Sequence, residues 1–386
     1  MIVMRQKKIF AIVPLLSAVV TGAWAQTTYK VGFDDNSNTE GWTISPTTAA
    51  DGQTVTVSYA GEHRVKSATA KTATAPVENV IDLSTLPDKG DGKNVLQAKD
   101  GDVLTNTFAL DYRIIVADGA KVTLRNATID RPGDNNRHGW AGITCDYNAT
   151  IVLEGTNTVT AFYKYYPGIY IAKGKTLTIQ GTGSLTASAV ISAEENSGAG
   201  IGGGITCGNI LIKGGIVNAK GGTIGAGIGC SQSTTTCGDI IITGGHVTAA
   251  AGDFDNVLLN GAGASIGTSI YSSCGTITIS GGTIDATGGY GGAGIGAGLH
   301  GGEDCGEVNI TNTVTSVTAY KGTDNGGVLH PYSIGTGTYG YAKKVTIGGT
   351  VYWDPTDFSD YPALLDVNWL NDGKTILNVS PFVYEP

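Results

Sequence analysis

The sequence predicts an all-β chain, a parallel β-helix of about eight three-stranded coils with a small N-terminal β module and a C-terminal cap. Three observations predict it. The phrase Gly-Ala-Gly-Ile-Gly stands at 198–202, 225–229 and 292–296, with looser copies at Ala264–Gly267 and Tyr332–Gly335. Most copies follow a Gly-x-Ile-x-Ile segment and a Gly-Gly-x-Val-x-Ala segment, each alternating with the period of a strand. Glycine supplies 59 of the 386 residues, with Thr, Val and Ile between, a composition of strands and tight corners.

Aligning the repeats writes three ladders. The first stacks Val122/Leu124, Ile151/Leu153, Leu177/Ile179, Ile210/Ile212, Ile240/Ile242, Ile277/Ile279, Val308/Ile310 and Val345/Ile347. The second stacks Val159/Ala161, Leu185/Ala187, Val217/Ala219, Val247/Ala249, Ile284/Ala286 and Val317/Ala319. The third is Ile143, Ile169, Ile201, Ile228, Ile266, Ile295 and Ile334. Side chains alternate across a strand, so each Ile-x-Ile sends both isoleucines to one face and builds an aliphatic column. Such a solenoid exposes strand edges at its ends and needs caps.

The chain divides in the reading as follows. Residues 1–25 form a signal peptide: Arg5, Lys7 and Lys8 precede an apolar run from Ile9 to Trp24, and Ala23-Trp24-Ala25 supplies the small-residue cleavage pattern. That run is shorter than a membrane span, so no membrane insertion is expected. Residues 26–88 are a small β module and linker, with a strand at 53–59, a turn at 60–63 and a second strand from 64. Residues 89–352 hold the coils, and 353–386 the aromatic cap and tail.

Charge narrows the partners. Removing the three basic residues of the leader takes the formal net charge from −9 to −12. An acidic protein gains nothing from phosphate backbones, so nucleic acid is excluded as a partner class.

The segment 198–212, Gly-Ala-Gly-Ile-Gly-Gly-Gly followed by Cys-Gly-Asn-Ile-Leu-Ile, resembles the repeat of secreted β-helical surface proteins of Gram-negative gut and oral bacteria. Those proteins are often labelled carbohydrate-binding-domain proteins. Asn157 to Leu185 and the closing Val351-Tyr352-Trp353-Asp354 are similar too, so the resemblance covers roughly residues 95–386. The broader class is the pectate-lyase-like right-handed β-helix, which hosts lyases, hydrolases and adhesins. The resemblance implies an exported protein, secreted or on the cell surface, with the periplasm as the alternative. It implies architecture far more than activity.

The candidate site is the corner between the second and third ladders, where the insertions are largest. The first coil carries Asp134, Arg137, His138 and Trp140 there, the second Tyr163, Tyr165 and Tyr166, and the third Glu194. Aromatic faces suit the C–H face of a pyranose, and carboxylate, Arg and His groups suit its hydroxyls. The reading is therefore a non-catalytic carbohydrate-binding or adhesin-like protein with a polysaccharide or glycan as partner. One alternative is a polysaccharide-degrading lyase or glycoside hydrolase using Asp134, His138 and Glu194, since glycoside hydrolysis needs two carboxylates. Another is a structural spacer or protein-binding adhesin. No cofactor is expected. A calcium-assisted lyase needs clustered carboxylates, and the outward residues of the first ladder (Thr123, Val152, Thr178, Leu211, Ile241, Thr278, Asn309, Thr346) include none. The five histidines have no metal-ligand spacing, and only His138 has polar company in the sequence.

Six cysteines remain. Cys207, Cys237, Cys274 and Cys305 each lie three residues before a first-ladder Ile or Val, so they should stack on consecutive coils. Pairings 207–237, 274–305 and 230–237 all fit disulfide reach, and so does a column of buried thiols. Cys145 stands apart.

Overall fold

A computed structural model describes residues 78–353, apart from 91, 109, 131–137, 192–197, 205, 232–235, 253–262, 300–304 and 323–331, together with seven strands outside that span. The chain forms two compact units, Met1–Glu78 and Asn79–Pro386. In the first, Ile9–Pro14, Thr28–Phe33 and Thr48–Ala50 make one antiparallel sheet. Trp42–Ser45, Thr54–Tyr59 and Lys66–Thr69 make another, whose last two strands are the hairpin read from the sequence.

The second unit holds two parallel sheets. Nine short strands form one of them: Val95–Ala98, Arg113–Val116, Ile143–Cys145, Ile169–Ile171, Ile201–Gly202, Ile228–Gly229, Ile266–Gly267, Ile295–Gly296 and Ile334–Gly335. Its register is the third ladder, Ile143↔Ile169↔Ile201↔Ile228↔Ile266↔Ile295↔Ile334.

The larger sheet overturns the expected parallel β-helix of three-stranded coils, and the solenoid description with it. The first and second ladders are two walls of a single sheet. From Lys121–Ile129 the hydrogen-bonded path runs through Ala149–Glu154, Thr176–Gly181 and Asn209–Ile212 to Ile240–Ala250. It returns through Ile216–Lys220, Ser184–Ser188 and Thr156–Thr160 to Lys121–Ile129. Eight parallel strands thus close into a barrel. The cause is local: Lys121–Ile129 and Ile240–Ala250 pass the corner unbroken, at Asn126 (φ 52°) and Gly245 (φ 93°), and each pairs with strands of both walls. Hydrophobic alternation cannot distinguish one bent strand from two strands joined at a corner.

Ile277–Thr287, Cys305–Ile310, Ser316–Tyr320 and Ala342–Ile347 extend the sheet in parallel on one side. Thr350–Trp353 and Lys374–Leu377 then pair antiparallel with Ala342–Ile347 and Ser316–Tyr320. On the other side lie Asp102–Thr107 and Asn79–Asp82.

The ladders need one further correction. Ile151 pairs with Ile179, not Leu177, and Val159 pairs with Ala187, not Leu185. Both walls slip by two residues at the same rung. A two-residue slip keeps every side chain on its own face, so the hydrophobic pattern does not register it. Asn157 consequently occupies an inward place opposite Leu185 and is 1% exposed. Its amide is fully used: Oδ1 accepts from Ala127 N–H at 2.9 Å, and Nδ2 donates to the carbonyls of Glu154 and Ser184 at 3.1 and 3.0 Å.

The core is one continuous cluster of Ile, Leu, Val and Ala side chains, most of them wholly buried. Each large aliphatic contributes roughly 1.5–3 kcal/mol by leaving water. Polar staples join the rungs where the first wall begins. Asp100, Asn148, Asn209 and Asp239 each accept the N–H of the next rung (Lys121, Thr176, Asp239 and Thr276) at 2.8–2.9 Å.

Candidate functional site

The corner cluster is built on two successive rungs. Beyond Lys121–Ile129 the described chain resumes at His138-Gly139-Trp140, just before strand Ile143–Cys145. Gly142 fixes that re-entry, because a Cβ there would lie 2.6 Å from Val159 Cγ1 and 2.7 Å from the Thr160 carbonyl. One rung on, Thr156–Thr160 leads into Ala161 and Phe162, and Phe162 N–H donates to the Trp140 carbonyl at 3.0 Å. Residues 163–166 form a turn closed by Tyr166 N–H on the Tyr163 carbonyl at 3.0 Å.

The rings then stack in order. His138 lies flat on Trp140, centroids 4.1 Å apart and planes within 7°. Trp140 meets the buried Phe162 at 6.0 Å. Tyr163 meets Tyr165 and Tyr166 edge-on, at 5.1 and 6.3 Å. Gly139 leaves room for Tyr166, whose Cε2 would lie 3.2 Å from a Cβ at that position. The Lys164 ammonium sits 5.0 Å over the Tyr165 ring, although the residue itself is buried. Tyr165 is the most open ring, 36% exposed; His138, Trp140, Tyr163 and Tyr166 are half-buried.

Five of the seven expected ligand-binding residues thus gather at one corner: His138, Trp140, Tyr163, Tyr165 and Tyr166. Asp134, Arg137 and Glu194 lie outside the described residues, so both carboxylates of the degrading-enzyme alternative fall there and only its His138 is described.

Sequence reasoning missed Asp111. Its Oδ2 stands 3.9 Å from His138 Nε2, both side chains largely covered, while its Oδ1 is buried without a hydrogen-bond partner. Arg113 Nε is unpartnered in the same way. Asp111 precedes the strand Arg113–Val116, one rung before the insertions, and only the Asp-Tyr-Arg cluster at the strand's entry could have signalled it. His246 also has polar company, contrary to the sequence reading: its Nε2 stands 3.2 Å from Asp285 Oδ2 on the next rung, both exposed.

Among the described residues no three His, Cys, Asp or Glu groups come together as metal ligands. No helix among them is long and apolar enough to cross a membrane. The cysteines resolve into one bridge, Cys207–Cys237, across adjacent rungs, with Cys145, Cys230, Cys274 and Cys305 as buried thiols. Burial pushes the Cys145 and Cys230 thiols far up, so both stay protonated and unreactive at neutral pH. A disulfide is a feature of oxidising, exported environments.

No protein-family model, no curated protein and no solved structure matches the chain.

Proposed function

We propose that the chain is an exported, non-catalytic glycan-binding protein of the cell surface or extracellular space, akin to the secreted repeat proteins that its Gly-Ala-Gly-Ile-Gly and Cys-Gly-x-Ile-x-Ile motifs resemble. The observation that carries this reading is the gathering of Trp140, Tyr163, Tyr165 and Tyr166 from two successive rungs at one corner, with Tyr165 open to solvent. Flat rings supply the apolar area that stacks against a pyranose, and a rigid parallel sheet holds them before the ligand arrives, which lowers the ordering cost of binding. His138 and Asp111, side by side at 3.9 Å, offer a donor and an acceptor to sugar hydroxyls. The Cys207–Cys237 bridge supports the export part of the reading.

A glycan array of the full chain followed by titration calorimetry tests it. The expected result is retention of a defined polysaccharide class without release of reducing ends. Tyr165→Ala should weaken affinity by tenfold or more, about 1.4 kcal/mol. Affinity unchanged in a Tyr163→Ala/Tyr165→Ala double variant would sink the site. Sugar release that disappears in Glu194→Gln would replace the binding reading with the degrading enzyme.

A further inference from the structure

Five of the six cysteines converge on one stretch of the stack, and the fold brings two of them into register without a bond. Cys274 pairs directly with Cys305 as an isolated parallel bridge between neighbouring rungs. Their Sγ atoms stand 3.2 Å apart, and both residues are buried, at 6% and 0% exposure. Parallel neighbours lie about 4.8 Å apart, and disulfides span Cα separations of about 4.4–6.8 Å, so the backbone need not move to join them. The same kind of rung-to-rung step is already bridged two repeats earlier, where the Cα atoms of Cys207 and Cys237 are 4.3 Å apart.

The rival partners are occupied. Cys237 borders Cys274 on the other side, through the Thr236↔Ser273 bridge and the Cys237 N–H donating to the Ser273 carbonyl at 2.9 Å. Its sulfur, however, is held by Cys207. Cys230 Sγ is turned onto the Ser273 carbonyl at 3.0 Å. Cys145 belongs to the strand Ile143–Cys145, several rungs away.

We infer that Cys274 and Cys305 form a second rung-to-rung disulfide, so that the mature chain carries two stacked cross-links, 207–237 and 274–305, and two permanent thiols, Cys145 and Cys230. The oxidant is a disulfide of the thiol–disulfide exchange class. One cysteine thiolate attacks a sulfur of that disulfide, giving a mixed disulfide and expelling a thiolate. The second thiolate then attacks the protein sulfur, forming the Cys274–Cys305 bond and releasing the other thiolate. Two electrons pass to the oxidant, whose two sulfurs leave as thiols carrying the two protons. Once the rungs are stacked, water and small oxidants are shut out. The exchange therefore takes place as these rungs assemble, and the finished bond is shielded from reductants. The inference stands on register and burial and is independent of the glycan reading.

The full chain is reduced in denaturant and refolded in a glutathione and glutathione-disulfide buffer, which makes the test independent of export. It is then unfolded in iodoacetamide without reductant, digested with trypsin and cleaved at aspartates. Asp239, Asp285 and Asp304 separate Cys237, Cys274 and Cys305 into different peptides. The expected map shows 207–237 and 274–305 linked, with Cys145 and Cys230 alkylated. A Cys145→Ala/Cys230→Ala variant, which cannot shuffle through the spare thiols, should give the same two links. Alkylation of both Cys274 and Cys305, or linkage of either to another cysteine, overturns the inference.

Discussion

The corner between the two walls is made from asparagine in the early rungs and from glycine in the later ones. Asn106 and Asn126 sit there with φ of 66° and 52°; Gly215, Gly245 and Gly282 sit there with 89°, 93° and 87°. Both residue types reach the left-handed region, but they stack differently. The Asn126 side chain reaches toward the next rung, where Oδ1 accepts from Thr156 N–H at 3.0 Å. It fills the space a Cβ at Gly155 would need, 2.0 Å from that oxygen. The glycine corners leave no such space: a Cβ on Gly282 would lie 2.5 Å from the Gly245 carbonyl, and one on Gly245 2.7 Å from that of Gly215. At the corner itself the Asn126 rung is tied to the next by a side-chain hydrogen bond, whereas the Gly215, Gly245 and Gly282 rungs meet there by bare backbone in direct contact. The aromatic corner lies on the two rungs that the Asn126 side chain joins, and the cysteine column on rungs whose glycine corners touch directly.

If that contrast is real, Gly282→Ala is the most damaging of the corner changes. It forces a left-handed alanine against backbone, and we expect a loss of about 3 kcal/mol or more in urea unfolding. A fall in midpoint equivalent to under about 1 kcal/mol would mean the later corners have slack. Asn157→Ala comes next. It strands the buried Ala127 N–H and should cost about 1–3 kcal/mol, and the Ala127 amide should lose protection from hydrogen exchange. Wild-type protection there would break the claim that this side chain ties the early rungs. Asn126→Gly is the gentlest. Glycine keeps the conformation and gives up one exposed hydrogen bond, so thermal unfolding should report a change below about 1 kcal/mol. A loss as large as that of Gly282→Ala would erase the distinction between the two corners.

The inward columns were legible because a strand's two-residue period writes burial directly into sequence; Ile210, Ile240 and Ile277 stack as read. The slip at Ile151 and Val159 was not, since even-numbered shifts leave the alternation intact. Closure of the larger sheet was invisible for a related reason: it depends on whether hydrogen bonding continues through Asn126 and Gly245, and neither residue type decides that alone. At the site, rung alignment was enough to set the segment 138–140 beside 162–166, where Gly139 meets Tyr166 and Trp140 meets Phe162. It could not foresee that Phe162 turns into the core, or that Asp111 arrives beside His138 from the preceding rung. The cysteine spacing gave the column, but which sulfurs meet depends on side-chain direction, and that is set by the fold.

In the second unit two of the described strands run against their neighbours. Thr350–Trp353 lies antiparallel on Ala342–Ile347, and Lys374–Leu377 antiparallel on Ser316–Tyr320. A stack of identical layers would otherwise offer its final layer as a template for another copy, the opening move of a fibre. By reversing direction at the finish, the polypeptide itself takes up the edges of Ala342–Ile347 and Ser316–Tyr320 that a further parallel strand would otherwise use.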